Sequence, residues 1–304
     1  MPKQKTTSTP YTRTMKLSII TINYNNAEGL RKTLASVASQ MYPNIEHIII
    51  DGGSTDGSVD VIKEYVRNVE RMNELTNEGI HVVWLSEPDK GIYNAMNKGI
   101  SKASEDYIQI LNSGDILASP DVTERMMVKL NELSNERVNE SDGVAILYGN
   151  MVKFDYANNR ILGKSREVEY SLRNYYSGTM NHDCCYFRRD LFETYGLYDE
   201  NLKIVSDWKW FLQAIGLGHV KPVYVDIDVT IFDASGISET NLALRNQERR
   251  QVLEELLPPA ILADYDAHAF EIEQMNRLRR RHLYGLVYFI ERVLFKLEKW
   301  HILW

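Results

Sequence analysis

The stretch Tyr107-Ile-Gln-Ile-Leu-Asn-Ser-Gly-Asp115 runs as an apolar strand, turns, and leaves a carboxylate at its end. Asp51 follows Ile48-Ile49-Ile50 in the same way, and Asp89 closes the run Leu85-Ser-Glu-Pro-Asp89. A carboxylate so placed can accept hydrogen bonds from a nucleobase N–H or from ribose hydroxyls. It can also hold a divalent ion, since Mg²⁺ commonly takes one or two carboxylates and fills its shell from substrate phosphates and water. One Asp-bearing turn is ordinary turn chemistry. Three of them, with Tyr24 after a further apolar run, suit a nucleoside diphosphate that carries a leaving group.

These residues need a scaffold that brings strand ends together. Leu17 to Asn23 is apolar on both faces, as a buried parallel strand requires, and Glu28 to Ser39 follows as a helix with Leu30, Leu34 and Val37 on one face. Ile45 to Ile50 and His81 to Leu85 are further strands. Helices begin near Ser58, taking in Val61, Ile62 and Tyr65, and run from Ile92 to Ser101; Asn68 to Glu78 is a polar extension or loop. The alternation predicts a doubly wound α/β fold with a mainly parallel sheet and right-handed crossovers. Tyr24, Asp51, Asp89 and Asp115 then share one edge, beyond the carboxyl ends of the strands, where ligands bind. As a strand-end residue, Asp51 is expected to be replaceable without loss of the fold. Beyond Asp121 the pattern predicts a helix over Val122 to Leu133, a polar loop over Glu132 to Asp142 and one or two strands over Val144 to Phe154. A short strand, Cys185 to Arg188, precedes short helices over Asp190 to Tyr195 and Asp207 to Ile215, stopped by Gly196 and Gly216. Val220 to Phe232 is strand-rich, and Asp233 to Ser238 is a loop.

With 304 residues, 44% hydrophobic and 25% charged, the chain resembles ordinary soluble proteins and can bury a sizeable core. A net charge of -7 argues against a nucleic-acid partner. The only cysteines, Cys184 and Cys185, are adjacent and would pair only with strain, which predicts a reduced, cytoplasmic setting. Met1 to Thr14 lacks the apolar region of a signal peptide and is expected to be a disordered leader; no apolar run reaches transmembrane length. No Gly-Lys-Ser/Thr P-loop and no Gly-x-Gly-x-x-Gly follows the first strand, which weighs against ATPase and dinucleotide chemistry.

Four segments in order carry a resemblance: Ser18-Ile-Ile-Thr-Ile-Asn-Tyr-Asn25, Ile48-Ile-Ile-Asp-Gly-Gly-Ser-Thr-Asp-Gly57, Ser86-Glu-Pro-Asp-Lys-Gly-Ile-Tyr-Asn-Ala-Met-Asn-Lys-Gly99 and Leu111-Asn-Ser-Gly-Asp115. Over Lys16 to Ser238 the chain resembles family 2 glycosyltransferases, inverting enzymes with a Rossmann-like nucleotide-diphospho-sugar transferase fold. The resemblance places Tyr24 and Asp51 at the nucleoside base, with Asp89, Lys90, Asn94, Asn97 and Ser113 around the donor. Asn94, Asn97 and Lys98 share a helix face that also fits a solvated stripe. Asp115 matches the carboxylate that holds Mn²⁺ or Mg²⁺. The family's Asp-x-Asp is reduced here, with Asn112, Ser113 and Gly114 in place of the other acids, which lowers the charge at the metal.

Asn181-His-Asp-Cys-Cys-Tyr-Phe-Arg188 and Ser206-Asp-Trp-Lys-Trp210 are similar to the family's acceptor-half motifs. Asp207 matches the catalytic base, which takes the proton of an acceptor hydroxyl; at a helix start its other reading is an N-cap. His182 is a candidate for binding the acceptor or the leaving phosphate, or a buried structural histidine. Gly236 suits a lid over the pyrophosphate, and Trp208 and Trp210 suit sugar stacking or core packing.

The resemblance implies a UDP-sugar donor and a saccharide or lipid-linked saccharide acceptor, in capsule, exopolysaccharide or lipopolysaccharide synthesis at the cytosolic membrane face. The expected organisation is a leader (1–14), a glycosyltransferase domain (15–238) and a helical C-terminal extension (239–304). The glycosyltransferase domain divides into a donor-binding half (15–115) and an acceptor half (116–238). From Arg277 to Trp304 there are seven Arg or Lys and two Glu, a balance of +5 (7 minus 2). Placed on a helix, Leu283, Leu286, Val287, Ile290, Leu294 and Leu297 form an apolar stripe, with Arg281, Arg292, Lys296 and Lys299 on another side. Such a helix can lie on an anionic membrane with Trp300 and Trp304 at the interface, or pack on the catalytic domain or in a homodimer. Two rivals remain. A sugar-phosphate nucleotidyltransferase would want a Gly-rich basic loop where Tyr24-Asn25-Asn26 stands. A non-catalytic sugar-nucleotide-binding or scaffold subunit would have no use for the Asp207 segment.

Overall fold

The computed structural model describes residues 15–76, 79–136, 143–156, 158–168, 171–233, 241–280 and 284–299. The chain divides into two compact units, Met1–Arg249 and Arg250–Trp304.

In the first unit, β1 (Leu17–Asn23) is buried at every position. The Asn26 side chain accepts from the Gly29 N–H and so caps α1 (Ala27–Ala38). β2 (Asn44–Asp51), α2 (Ser58–Thr76), β3 (Gly79–Ser86), α3 (Ile92–Lys102) and β4 (Tyr107–Ile110) follow. The polar stretch from Asn68 therefore extends α2. Strands β3-β2-β1-β4 are parallel neighbours, and Asn23, Asp51 and Ser86 stand in one row across their carboxyl ends. Past β4, the Leu111 and Ser113 amides bond to Ile20 and Ile22 carbonyls, carrying the turn to Asp115 along β1. Gly99 lets α3 approach closely: a Cβ there would lie 2.3 Å from Ile20 Cγ2.

The second half adds β5 (Ile116–Leu117), α4 (Val122–Glu136), β6 (Ile146–Asp155), β7 (Arg160–Lys164), α5 (Leu172–Ser177), β8 (Cys185–Arg188), α6 (Leu191–Tyr195), α7 (Ser206–Phe211) and β9 (Val223–Asp233). β8 joins β4 to β6 antiparallel, and β6 runs parallel to β9 through register shifts. Val144 to Phe154 thus yields one bulged strand, which β7 extends as a hairpin. The helix expected over Asp207 to Ile215 is α7 followed by a π-helical turn, Leu212–Leu217. Trp210 sits among Phe187, Phe192 and Phe211 in an aromatic cluster.

α8 (Leu242–Leu256) begins in the first unit; the second contains α9 (Pro259–Arg280) and α10 (Tyr284–Lys299). Within that unit Arg250 grips Asp266 with two contacts, at 2.9 and 2.7 Å. On α10, Leu286, Phe289, Ile290, Val293 and Leu294 are exposed. Among the described residues, no helix is long and apolar enough to cross a membrane.

Candidate active site

At the carboxyl ends of β1 to β3, Asp51 is fully buried and each of its oxygens accepts two hydrogen bonds. Oδ1 takes Asn23 Nδ2 (2.8 Å) and Ser54 Oγ (2.6 Å); Oδ2 takes Ser86 Oγ (2.7 Å) and the Ser54 amide (3.0 Å). Burial pushes its pKa up, but the bonds from Ser54, Ser86 and Asn23 overcome that and hold it below the usual carboxylate value. Gly52 forms a floor beside it: a Cβ there would lie 3.1 Å from both Asp89 Oδ2 and Tyr24 Cδ2. Tyr24, Asp51 and Asp89 are therefore brought together, with Tyr24 69% exposed. Asp89 is paired with Lys98 at 2.5 Å, and Lys98 also meets Glu87 at 2.8 Å.

The turn that carries Asp115 is tied to α1. Thr33 Oγ1 donates to the Asp115 carbonyl (2.7 Å) and accepts from the Gly114 amide (2.9 Å), and Asn26 Nδ2 donates to the Ser113 carbonyl (3.1 Å). Gly114 has φ of 109°, a conformation that disfavours an acidic side chain at that position. Asp115 is 5% exposed, and among the described residues no group of three His, Cys, Asp or Glu is arranged to hold a metal. A single buried carboxylate fits an ion that draws its other ligands from a diphosphate and water, and does not form a cage of its own.

The helix face of Asn94, Asn97 and Lys98 is not a solvated stripe: Lys98 pairs with Asp89, and the two asparagines reach the second half of the unit. Asn94 Oδ1 accepts from the amide of the exposed Lys90 (3.2 Å), and its Nδ2 donates to Glu200 (2.9 Å). Asn97 is buried; it donates to the Tyr198 carbonyl (2.8 Å) and Glu200 (3.0 Å) and accepts from the Tyr198 amide (3.0 Å). Both amide atoms of Asn97 thus clasp the second half of the unit to α3.

Asp207 lies in the first turn of α7, where Val205 holds the N-cap position and no side chain caps the helix. Its oxygens instead meet side chains from distant segments. Tyr93 Oη donates to Oδ1 at 2.9 Å, and His182 Nδ1 lies 3.1 Å from Oδ2. Both His182 and Asp207 keep 17% of their side-chain surface exposed. Burial works to raise the Asp207 pKa, yet the hydrogen bond and charge of His182, with the Tyr93 hydroxyl, hold it below the ordinary value. For His182, burial works downward, but Asp207, with Asp183 and Asp115 behind it, raises the pKa above the usual histidine range. Both shifts run in the direction that favours an imidazolium beside a carboxylate. His182 Nε2 is 3.3 Å from the Asn112 amide, whose buried Oδ1 accepts no other hydrogen bond. A cationic His182 is satisfied by an amide turned to offer that oxygen. A side-chain chain thus runs from Asn112, in the Asp115 turn, through His182 to Asp207 and Tyr93. Asp183 is buried, accepts from Thr230 Oγ1 (2.5 Å) and is pushed up in pKa by burial.

Trp208 and Trp210 are buried and donate to the Tyr175 and Gly196 carbonyls, so they pack the core and do not offer faces to a sugar. Gly236 and the lid expected around it lie outside the described residues. Tyr93 escaped the sequence reading because it sits inside a motif at an apolar helix position. Arg245 and Arg249 escaped it because they follow the matched segments. Both line a cavity of about 140 Å³ with His182, Asp183 and Asp207.

The architecture is that of nucleotide-sugar transferases. The chain is similar in fold to S. aureus TarS 1-349 in complex with UDP-GlcNAc (TM-score 0.58, 18% identity, covering 79% of this chain and 64% of that one). It is also similar to the mannosyltransferase PcManGT from Pyrobaculum calidifontis in complex with GDP-Man and Mn²⁺ (TM-score 0.57, 16% identity, covering 88% and 73%). The family model for glycosyl transferase family 2 matches residues 18–196, more than half of the sequence, and the chain belongs to that family. An uncharacterized glycosyltransferase of Mycobacterium tuberculosis is 33% identical over 227 residues, 73% of this chain and 76% of the relative. A PGL/p-HBAD biosynthesis glycosyltransferase of Mycobacterium bovis is 24% identical over 224 residues, 73% and 79% of the two chains.

Proposed function

We propose that the protein is an inverting glycosyltransferase. It moves a hexosyl or N-acetylhexosaminyl unit from a nucleoside-diphosphate sugar, a UDP-sugar, to a hydroxyl of a saccharide or lipid-linked saccharide in surface polysaccharide synthesis. One observation carries the reading: a half-buried carboxylate, Asp207, is oriented by Tyr93 and His182 and linked through Asn112 to the Asp115 turn. Asp207 accepts the proton of the acceptor hydroxyl while that oxygen bonds to the anomeric carbon. The bond from that carbon to the diphosphate oxygen breaks, and its electron pair leaves with the nucleotide. Tyr93 and His182 fix the carboxylate rotamer, the positioning on which such a step depends. Asp115 would hold a divalent ion against the diphosphate, where it neutralises charge on the leaving group. Asp51 and Tyr24 shape the base pocket, with a base N–H displacing one serine hydroxyl from Asp51. Asp89 and Lys90 border the ribose side, Ser113 faces the diphosphate, and Asn94 and Asn97 act by positioning.

Thermal-shift screening of nucleotide sugars, with and without Mn²⁺, tests the donor, and donor hydrolysis by the wild-type protein separates an enzyme from a binding subunit. A folded protein that binds no nucleotide sugar would end the reading. The open apolar face of α10, with Phe289 65% and Leu286 57% exposed, supports peripheral attachment to an anionic membrane. Co-sedimentation of the full chain with anionic liposomes at low salt should occur and fall in Phe289→Asp. An oligomer broken by that substitution, without liposome binding, would favour a homodimer.

A further inference from the structure

Helix α7 has six residues and no side-chain cap, so the order of its first turn comes from the segment before it. Leu202, Ile204 and Val205 are buried in that segment, and backbone amides in such surroundings need acceptors. Glu248 supplies them from α8. It is 5% exposed; Oε1 accepts from the Lys203 amide at 2.8 Å and Oε2 from the Ile204 amide at 2.9 Å. The next residue, Arg249, lies over the Trp208 ring, 4.9 Å from its centroid, so α8 touches the chain on both sides of Asp207. Upstream, Asn97 and Asn94 of α3 hold Tyr198 and Glu200. The stretch from Tyr198 to Trp208 is thus fastened by α3 at one end and by α8 at the other, with Asp207 inside the second fastening.

A carboxylate suits this place because each oxygen takes one backbone N–H in a charge-assisted bond, stronger than a neutral one. Losing either oxygen as an acceptor leaves an amide unpaired beside Asp207. A displacement of about 1 Å at a reacting group can cost about 100-fold in rate, so small movements of this segment matter. We infer that Glu248 is a positioning residue for the transfer step: by holding the Lys203 and Ile204 amides it sets where the Asp207 carboxylate stands. The start of α8 then belongs to the catalytic half, although it lies past residue 238, where the sequence pattern ends that half. This rests on the transferase reading above. The rival account is that Glu248 braces the fold and nothing more.

A double-mutant cycle in the full chain separates the two. The probe is release of UDP from UDP-glucose, UDP-galactose or UDP-N-acetylglucosamine, whichever the thermal-shift screen selects, with Mn²⁺ and water as acceptor. Glu248→Gln keeps the size and one accepting oxygen but turns an NH₂ group toward the other amide. It should lower kcat by about 10-fold and leave the donor KM and UDP affinity within about twofold. In Asp207→Asn the same change should leave the residual rate within about twofold, because the base through which Glu248 acts is already gone. Amide hydrogen exchange over residues 203–209 should quicken by about 10-fold or more in Glu248→Gln, a readout that needs no activity. Equal loss of kcat in both backgrounds would mean a brace of the fold and would overturn the positioning role. Unchanged kcat or unchanged exchange would overturn it as well. If Glu248→Gln does not fold, Glu248→Asp, with both oxygens on a shorter stem, carries the same cycle with a loss of about threefold. A wild-type chain that releases UDP from none of these donors, yet whose exchange at 203–209 depends on Glu248, would strike the transferase reading and leave the clamp standing.

Discussion

Asp51, buried, and Asp207, half-buried, are both held below their ordinary pKa, and they reach that state by different routes. The partners of Asp51 are neutral and lie at the aligned ends of β1, β2 and β3 or in the turn just after it. All four acceptor positions are filled, so the group behaves as a fixture of the sheet edge. The partners of Asp207 are 114 and 25 residues away, one of them is a titratable histidine, and a cavity opens beside it. A carboxylate whose partner can itself titrate has a proton affinity that a ligand can change. The first kind of site fits the pocket floor proposed for Asp51, and the second fits the proton transfer proposed for Asp207.

Asp207→Asn gives the largest contrast. It keeps size and most hydrogen bonds but cannot take a proton, so transfer at saturating donor should fall by about 10²–10⁴-fold while UDP affinity persists. Near-normal turnover would remove Asp207 as the base and turn attention to Asp183. At the other carboxylate, Asp51→Ala should weaken UDP by about 10- to 150-fold in calorimetry. The fold is expected to survive the replacement, but the four hydrogen bonds add a cost in stability. Stranding Asn23, Ser54 and Ser86 should cost about 3 kcal/mol, roughly 5–10 °C in melting temperature. A variant that melts like wild type would mean that the fixture description is wrong.

The smallest effect is in pH dependence. Removing His182 takes away the main influences that depress Asp207, so in His182→Gln the acid limb of the rate profile should move to higher pH, with turnover lower by about 10-fold. The linked stability has opposite signs at the two partners. Asp207 contributes above its unfolded value of about 3.9, and this is lost as pH falls through its lower folded value. His182 contributes fully below about 6.5, and this is lost as pH rises through its higher folded value. Urea midpoints of wild type should therefore decline on the alkaline side, and those of His182→Gln should decline less. Parallel profiles would show that the imidazolium is not part of the pair.

The donor half was legible because buried parallel strands write nearly continuous apolar runs, and these stop at Asn23, Asp51 and Ser86, the row that builds the site edge. β7 was not legible: Arg160–Lys164 is exposed throughout, so no alternation marks it, and it exists as a hairpin partner of β6. The register shifts that let β6 run unbroken also leave no local mark. Within the site, Asp207 and His182 could be named, but their joining could not, because side chains so far apart in sequence carry no local signal. Tyr93 shows why most clearly: a buried tyrosine on an amphipathic helix reads as core, and only the fold turns its hydroxyl toward Asp207.

The clasp of Asn97 on Tyr198 and Glu200 bears on how such an enzyme can be re-engineered. The same helix that holds this clasp also supplies Tyr93 to Asp207, so the two halves of the first unit are not interchangeable cassettes. A chimera joining residues 15–115 to a foreign second half would strand the buried Asn97 amide, at about 1–3 kcal/mol, and leave the Tyr93 hydroxyl without the carboxylate to which it donates. Acceptor range in this architecture is therefore better altered by point changes in the cavity wall than by segment exchange. Any recombination junction would have to keep α3 together with Tyr198, Glu200 and Asp207.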